Sequence, residues 1–178
     1  MLKGKNINLR LVREKDLERM FDLGQDLDAR GEFFPVALPT EATIRKRFAE
    51  HGYWGDDFRV MLIVDREEDL MRGLISVFKP VFYQDSIELG YILYDVSCRG
   101  KGYMTEAVQL MTGYMFRLEK IYRVQIQMES ANVASRRVAE KAGFKHEGTL
   151  RHAIVRRCVP VDAEMYGMTR ADWEAQSK

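Results

Sequence analysis

A basic, glycine-punctuated turn before a predicted helix is the part of the chain whose residue types could do chemistry. Arg99, Gly100, Lys101 and Gly102 are consecutive, and Thr105 begins an amphipathic stretch. Glycines let the backbone approach a ligand closely, and the first turn of a helix has N–H groups without internal partners. With Arg99 and Lys101 adding positive charge, we expect a phosphate or pyrophosphate site. A solvated tight turn is the alternative, because such clusters are common in loops.

Two well-known phosphate-binding patterns do not fit this turn. The pattern GxxxxGK[ST] does not occur in the chain, and Gly100 and Gly102 are followed by Thr105 where the dinucleotide-binding fingerprint requires glycine. The sequence therefore excludes a P-loop and a Rossmann-type dinucleotide site.

The composition is that of an ordinary globular protein. The chain has 178 residues, 28 Lys plus Arg against 27 Asp plus Glu, and 46% hydrophobic residues. A net charge of +1 gives no whole-chain reason to expect nucleic acid or a membrane as partner. The length, and the lack of a linker rich in Pro, Gly or Ser, predict one domain over residues 1–178.

The cysteines and histidines indicate no metal site. Cys98 and Cys158 are far apart in the sequence, and His51, His146 and His152 lack the spacing of metal ligands. We expect Cys98 to be a small buried thiol rather than a nucleophile. No signal segment or membrane-length apolar run is present, which favours a cytoplasmic protein.

The turn lies between a predicted meander and a predicted crossover. Three β-rich runs with short polar connections predict antiparallel strands over Phe58–Asp65, Met71–Pro80 and Ser86–Asp95. A helical stripe over Thr105–Leu118 and a return to β chemistry over Ile121–Glu129 then predict a crossover and a parallel strand contact. The sheet should therefore be mixed and mostly antiparallel.

Further elements flank this centre. The alternation over Ile7–Val12 predicts a strand, and the residues that follow it, 14–24, predict a helix. Thr40 is the expected cap of a second helix.

The C-terminal part of the chain predicts one helix and two strands. The helix runs from the capping Asn132 to Gly143 and Phe144. Residues 153–161 and 162–170 could be two final strands, with Pro160 near their turn.

Two separated motifs in this order resemble the GNAT N-acetyltransferases, and among them the ribosomal-protein N-terminal acetyltransferases. They are ELGYIL with RGKGYMTEAV, and about thirty residues later NVASRRVAEKAGF with EG. The family's phosphate loop, [QR]-x-x-G-x-[GA], maps onto Arg99, Gly102 and Met104, where Met104 replaces the usual small residue. The resemblance covers nearly the whole chain. It implies an α/β fold in which a mixed, mostly antiparallel sheet of about seven strands and about four helices is splayed around an acetyl-CoA cleft.

The resemblance also implies which residues bind acetyl-CoA as co-substrate. The backbone of Ile92, Leu93 and Tyr94 would pair with the pantetheine arm, and Asn132 would contact the cofactor near that arm. Backbone amides of the loop would hold the pyrophosphate; the residues concerned are Arg99, Gly100, Lys101, Gly102, Tyr103, Met104 and Thr105.

Acetyl transfer from a thioester to an amine needs a base for the ammonium and an acid for the departing thiolate. Glu88 should face away from Ile87 and Leu89 on a strand, so it is our candidate base. A solvent-facing carboxylate or an ion pair is the alternative for Glu88.

The candidate acid comes from the second motif. Many family members carry a tyrosine acid at the position of Ala139, whereas the ribosomal-type subgroup is proposed to use a serine one turn after the Asn, matched here by Ser135. The alternative is that Ser135 only orders the helix start by bonding a backbone group.

Aromatic residues are the candidates for the acceptor site. Phe33 and Phe34 lie in the predicted loop 31–40, where they could form a specificity wall or merely anchor the N-terminal helices. Trp54, Tyr83 and Tyr166 could also line the acceptor cleft.

These inferences together predict an acetyl-CoA-dependent N-acetyltransferase that acts on a primary amine by direct attack. The acceptor stays open between a protein N-terminus and a small-molecule amine, and the family suggests a homodimer. The alternative is a non-catalytic acyl-CoA-binding or regulatory module with the same fold, motivated by Ala139.

Overall fold

A computed structural model of the protein describes residues 1–33, 38–81, 83, 85–118 and 121–176. These residues form eight strands, six α-helices and two short 3-10 helices. The strands are β1 (Leu2–Lys3), β2 (Ile7–Leu11), β3 (Phe58–Asp65), β4 (Met71–Phe78), β5 (Ser86–Leu93), β6 (Arg123–Glu129), β7 (Lys145–Arg156) and β8 (Val159–Thr169). The α-helices are α1 (Leu17–Gln25), α2 (Leu27–Arg30), α3 (Glu41–His51), α4 (Tyr103–Leu118), α5 (Val133–Lys141) and α6 (Arg170–Gln176). Within these residues, no helix has the length and apolar character needed to cross a membrane.

The strands form one mixed sheet in the order β1-β2-β3-β4-β5-β6-β8-β7. The predicted meander of β3, β4 and β5 is confirmed as antiparallel. The predicted crossover through α4 is confirmed as well, because β5 and β6 pair in parallel. The described residues hold more elements than the approximate numbers expected from the family, and among them the two-residue β1, the four-residue α2 and the C-terminal α6 carry no strong sequence pattern.

The sheet is buried on both faces at its centre, where β3 contributes to two clusters. Met61 and Ile63 pack on the face covered by α4, whereas Val60 and Leu62 pack on the opposite face with residues of α1 and α3. Side chains alternate along a strand, so a strand covered on both faces needs a continuous apolar run such as VMLIV. Catalytic candidates can therefore be assigned to one face or the other.

The C-terminal hairpin turns at a different place from the predicted one. Arg157 and Cys158 form the two-residue turn, with φ values of 48° and 65°. β7 therefore ends at Arg156 and Pro160 lies inside β8, so the predicted strand over 153–161 is wrong. Turns with positive φ at both central residues usually contain Asn-Gly or similar pairs, and Arg-Cys gave no such signal.

A buried ion pair fixes β2 to the 3-10 helix at Glu14–Asp16. Arg10 donates from Nη1 to Asp16 Oδ2 at 2.7 Å and from Nη2 to Oδ1 at 2.9 Å, and the Arg10 side chain is 4% exposed. Burial acts to raise the pKa of Asp16, but hydrogen bonds from the Arg10 side chain and the Arg13 backbone outweigh it and lower that pKa.

We expect Arg10→Met to lower the free energy of unfolding by about 3–5 kcal/mol, because it leaves the Asp16 carboxylate buried without its partner. Urea unfolding at pH 7 measures the loss. The control is Arg45→Met, since Arg45 and Glu41 form an ion pair in which both side chains are exposed. This variant should lose no more than about 0.5 kcal/mol of unfolding free energy. Equal losses in the two variants would contradict this account.

Candidate functional site

An opening in the sheet lies between β5 and β6. The two strands pair over Ser86–Glu88 and Arg123–Gln125. Beyond these residues, β6 continues against β8 and β5 continues against β4 as far as Leu93, and no pairing between β5 and β6 is found in the described part of the chain. The two strands therefore part after Glu88, and one edge of β5 faces the opening.

Only alternate residues of β5 direct their backbone groups to that open edge. The Tyr94 N–H donates to Arg72 O at 3.0 Å, so this facing pair is a hydrogen-bonded one. In an antiparallel pair of strands, hydrogen-bonded and non-hydrogen-bonded facing pairs alternate. Ile92 lies two positions before Tyr94, so its backbone groups also point toward β4. Leu93 and Tyr91 carry the groups on the open edge. The expectation that Ile92 and Tyr94 pair with an extended ligand through their backbone is therefore wrong, because one strand edge cannot present three consecutive residues.

The basic turn leads directly into α4. Gly100 and Gly102 have φ values of 74° and 83°, and a Cβ added to either would find no protein atom within 4 Å. The left-handed conformation therefore explains both glycines, and the space in front of them is open. Lys101 is exposed, and α4 begins at Tyr103. In the first turn of this helix, the backbone N–H of Glu106 donates to Gly102 O.

Met104 does not obstruct this turn. Its side chain is 8% exposed and belongs to the core cluster between α4 and the sheet. A large side chain is therefore tolerated at a position where the family pattern has a small one, because it points inward.

The Arg99 side chain links two segments of the backbone. Its Nη2 donates to Leu93 O at 3.2 Å, and the guanidinium lies within 4 Å of the position that a Cβ on Gly31 would take. Arg99 thus connects the end of β5 to the start of the loop after α2.

Glu88 lies where β5 and β6 part, on the face opposite to α4. Ile87 and Leu89 pack in the cluster with α4, so the alternation directs Glu88 to the other face. Gln125 donates from Nε2 to Glu88 Oε2 at 2.9 Å. Burial raises the pKa of Glu88, and the hydrogen bond from Gln125 partly opposes that shift. A half-buried carboxylate of raised pKa is suited to accept a proton.

Ser135 and Asn132 lie at the start of α5 with separate tasks. The Asn132 side chain caps the helix, since its Oδ1 accepts from Ser135 N at 3.0 Å. The Ser135 hydroxyl instead lies 2.9 Å from the hydroxyl of Tyr91. The capping task that could have been assigned to the Ser135 hydroxyl is thus performed by Asn132 Oδ1.

Phe33 and Tyr83 lie on two connections between elements of the fold. The Phe33 carbonyl accepts from Arg156 Nη2 at 3.1 Å, and the same guanidinium bonds the buried Glu129 at the end of β6. Tyr83 lies on the connection between β4 and β5 and is 73% exposed. Phe34 lies outside the described residues.

Trp54 and Tyr166 do not lie with Glu88. The Trp54 ring packs edge-on against Tyr114 of α4, with ring centroids 6.1 Å apart, and it therefore lies on the α4 face of the sheet. The Tyr166 ring is 4% exposed, and its hydroxyl donates to Glu140 Oε1 at 3.1 Å. Both rings therefore lie on the α4 face of the sheet, opposite to Glu88. The buried Tyr166 ring offers almost no surface to an acceptor, and the expectation that Trp54 lines the acceptor cleft stays a prediction.

The cysteine next to the turn is structural. Cys98 is 6% exposed, and burial raises the pKa of its thiol. The prediction of a buried thiol is confirmed. In the described ranges, no three His, Cys, Asp or Glu side chains are grouped so that they could hold a metal ion.

Sequence reasoning missed three residues that the structure brings to this region. Tyr91 bonds Ser135, Gln125 bonds Glu88, and Arg156 bonds the Phe33 carbonyl. Strand alternation alone could have placed Tyr91 and Gln125 on faces, but the partners come from elements far apart in sequence.

Comparisons with known proteins bear on the family and the fold of this chain. A family model described as Acetyltransferase (GNAT) domain matches residues 6–145. The chain is 30% identical over 182 aligned positions to the probable N-acetyltransferase YjcK of Bacillus subtilis, covering 98% of this chain and 99% of that protein.

Two solved structures are similar in fold. Spermidine N-acetyltransferase from Vibrio cholerae, in complex with CoA and spermine, has a TM-score of 0.81 at 16% identity and covers 94% of this chain and 98% of its own. RimL, a ribosomal alpha-N-protein acetyltransferase in complex with coenzyme A, has a TM-score of 0.76 at 22% identity and covers 93% of this chain and 95% of its own.

Proposed function

Because the chain belongs to the GNAT acetyltransferase family and is an N-acetyltransferase, we propose that Glu88 and Ser135 catalyse acetyl transfer from acetyl-CoA to a primary amine by direct attack. The observation that carries this proposal is the parting of β5 and β6 directly after Glu88. Glu88 and Ser135 approach that opening from the two faces of the sheet, so a thioester placed in it has a base on one side and an acid on the other.

Glu88 accepts the proton of the incoming ammonium, directly or through one water. Its raised pKa makes it a stronger proton acceptor than an exposed carboxylate. The neutral amine then attacks the carbonyl carbon of the thioester. As the carbon–sulfur bond breaks, Ser135 donates its hydroxyl proton to the departing thiolate.

The residues around the turn suit coenzyme A as the acyl carrier. The open space before Gly100 and Gly102 and the first N–H groups of α4 accommodate a pyrophosphate. The backbone groups of Leu93 and Tyr91 suit the amides of a pantetheine arm along the open edge of β5. Bound there, acetyl-CoA supplies the activated acetyl group.

Calorimetry and thiol release test the proposed function. We expect CoA to bind and at least one primary amine to accelerate thiol release from acetyl-CoA. The panel contains an N-terminal peptide, a polyamine and an aminoglycoside, with an N-acetylated peptide as the control that lacks a free amine. Binding of CoA without acceleration by any amine would favour the acyl-CoA-binding module instead.

A protein N-terminus is the first acceptor to test. The fold is shared both with a ribosomal alpha-N-protein acetyltransferase and with a spermidine N-acetyltransferase, so fold alone does not separate peptides from polyamines. The sequence motifs resemble the ribosomal-type group, which is the reason for the order of testing.

Domain organisation, assembly and location are further parts of the proposal. The continuous sheet supports one domain over residues 1–178. We propose a homodimer, which light scattering of the purified protein tests. A cytoplasmic location fits the buried free thiol of Cys98.

A further inference from the structure

Tyr91 and Ser135 form a hydroxyl pair across the opening in the sheet. Tyr91 lies on β5, and Ser135 lies in the first turn of α5, which follows β6. Their oxygens are 2.9 Å apart, within the normal range of an O–H···O hydrogen bond. The backbone carbonyl of Ser135 lies 3.5 Å from the Tyr91 hydroxyl, too far to be its main acceptor.

The direction of this hydrogen bond follows from the chemistry of the two groups. A phenol is a stronger acid than an aliphatic alcohol, so Tyr91 is the better donor and Ser135 Oγ the better acceptor. The Tyr91 ring is half-buried against the core cluster, which fixes its hydroxyl. Burial raises the pKa of Tyr91 to about 12, so the phenol keeps its proton throughout the neutral range.

The hydrogen bond that Tyr91 donates to Ser135 Oγ has two consequences for acid catalysis. The oxygen that accepts from Tyr91 keeps its own proton for another acceptor, and that proton can point into the opening. The same hydrogen bond stabilises the negative charge that develops on Oγ as the proton leaves.

We propose that Tyr91 is a positioning residue that orients the Ser135 hydroxyl and stabilises its oxygen during proton donation to the thiolate. This inference rests on the proposed function, because it assigns Tyr91 to the acid of that mechanism. The carbon–sulfur bond breaks, the sulfur takes the proton of Ser135, and Tyr91 keeps its own proton. The proton that the nitrogen releases on becoming an amide replaces the one lost by Ser135, so the step balances.

A double-mutant cycle on kcat tests this role. We expect Tyr91→Phe to lower kcat about three- to tenfold, the effect of one lost hydrogen bond, with little change in the Kd for CoA. Ser135→Ala should lower kcat by about a hundredfold, as for loss of a catalytic acid. In the Ser135→Ala background, Tyr91→Phe should have no further effect, because the oxygen through which it acts is gone.

The control is Tyr166→Phe, which also removes a tyrosine hydroxyl bonded to α5, in this case to Glu140. We expect it to lower the thermal midpoint but to leave kcat within about twofold. If Tyr166→Phe lowers kcat as much as Tyr91→Phe, both act by holding α5 and the inference is wrong. The inference is also wrong if Tyr91→Phe lowers kcat by the same factor in the wild-type and in the Ser135→Ala background.

Failure of the proposed function looks different in the same data. If Ser135→Ala keeps wild-type kcat, Ser135 is not the acid, and the inference about Tyr91 falls with it. If only Tyr91→Phe keeps wild-type kcat, the acid remains assigned and the positioning role alone is lost.

Discussion

Glu88→Gln should lower kcat/KM by about a hundredfold or more near pH 7, because general-base catalysis typically contributes two to four orders of magnitude. The loss should shrink at high pH, where the amine is already neutral, since alkylamines have pKa values near about 10. The wild-type rate should fall as the pH drops through the raised pKa of Glu88, and the variant should lack that step. Thiol release from acetyl-CoA, measured across pH at acceptor concentrations far below KM, gives both profiles of kcat/KM.

The control for this variant is Glu67→Gln, on the exposed connection between β3 and β4. It removes a carboxylate of the same type and the same charge, and its pH profile should match the wild type. CoA affinity should be unchanged in both variants. If the Glu88→Gln protein shows the wild-type pH profile, Glu88 is not the base, and the family assignment is unaffected.

Gly102→Ala should weaken CoA binding at least about tenfold, equivalent to about 1.4 kcal/mol. The added methyl group enters the open space in front of α4 where we place the pyrophosphate. Residue 102 has a φ of 83°, a conformation in which any L side chain is strained, so the alanine should also cost about 1–2 kcal/mol of unfolding free energy. Calorimetry with CoA and thermal unfolding measure the two effects separately.

Gly52→Ala provides a closely matched control for Gly102→Ala. Gly52 ends α3 with a φ of 60°, and a Cβ there would also find no atom within 4 Å. The two variants should therefore lose similar stability, whereas only Gly102→Ala should lose CoA affinity. If both bind CoA like the wild type, the pyrophosphate does not lie against this turn.

The helices that the site requires could be predicted because their signals are local. Asn132 and Gly143 bound α5 through a side-chain cap and a left-handed residue, and both features depend on a few adjacent residues. The basic turn before α4 is predictable for the same reason, since its glycines have the positive φ values that the pattern implies. The hairpin at Arg157 and Cys158 was missed because its conformation is imposed by the pairing of β7 with β8.

The sequence by itself determined the central meander, the parallel crossover and the basic turn before α4, since these follow from periodicity and from backbone preferences of nearby residues. Only the tertiary structure decided which residues meet at the opening. Strand register directs Leu93 to the open edge and Ile92 away from it. The packing of Trp54 on Tyr114 of α4 places its ring on the face opposite to Glu88. The hydroxyl pair of Tyr91 and Ser135 joins residues 44 positions apart. Such contacts depend on how far two strands stay paired before they separate, which no local pattern encodes.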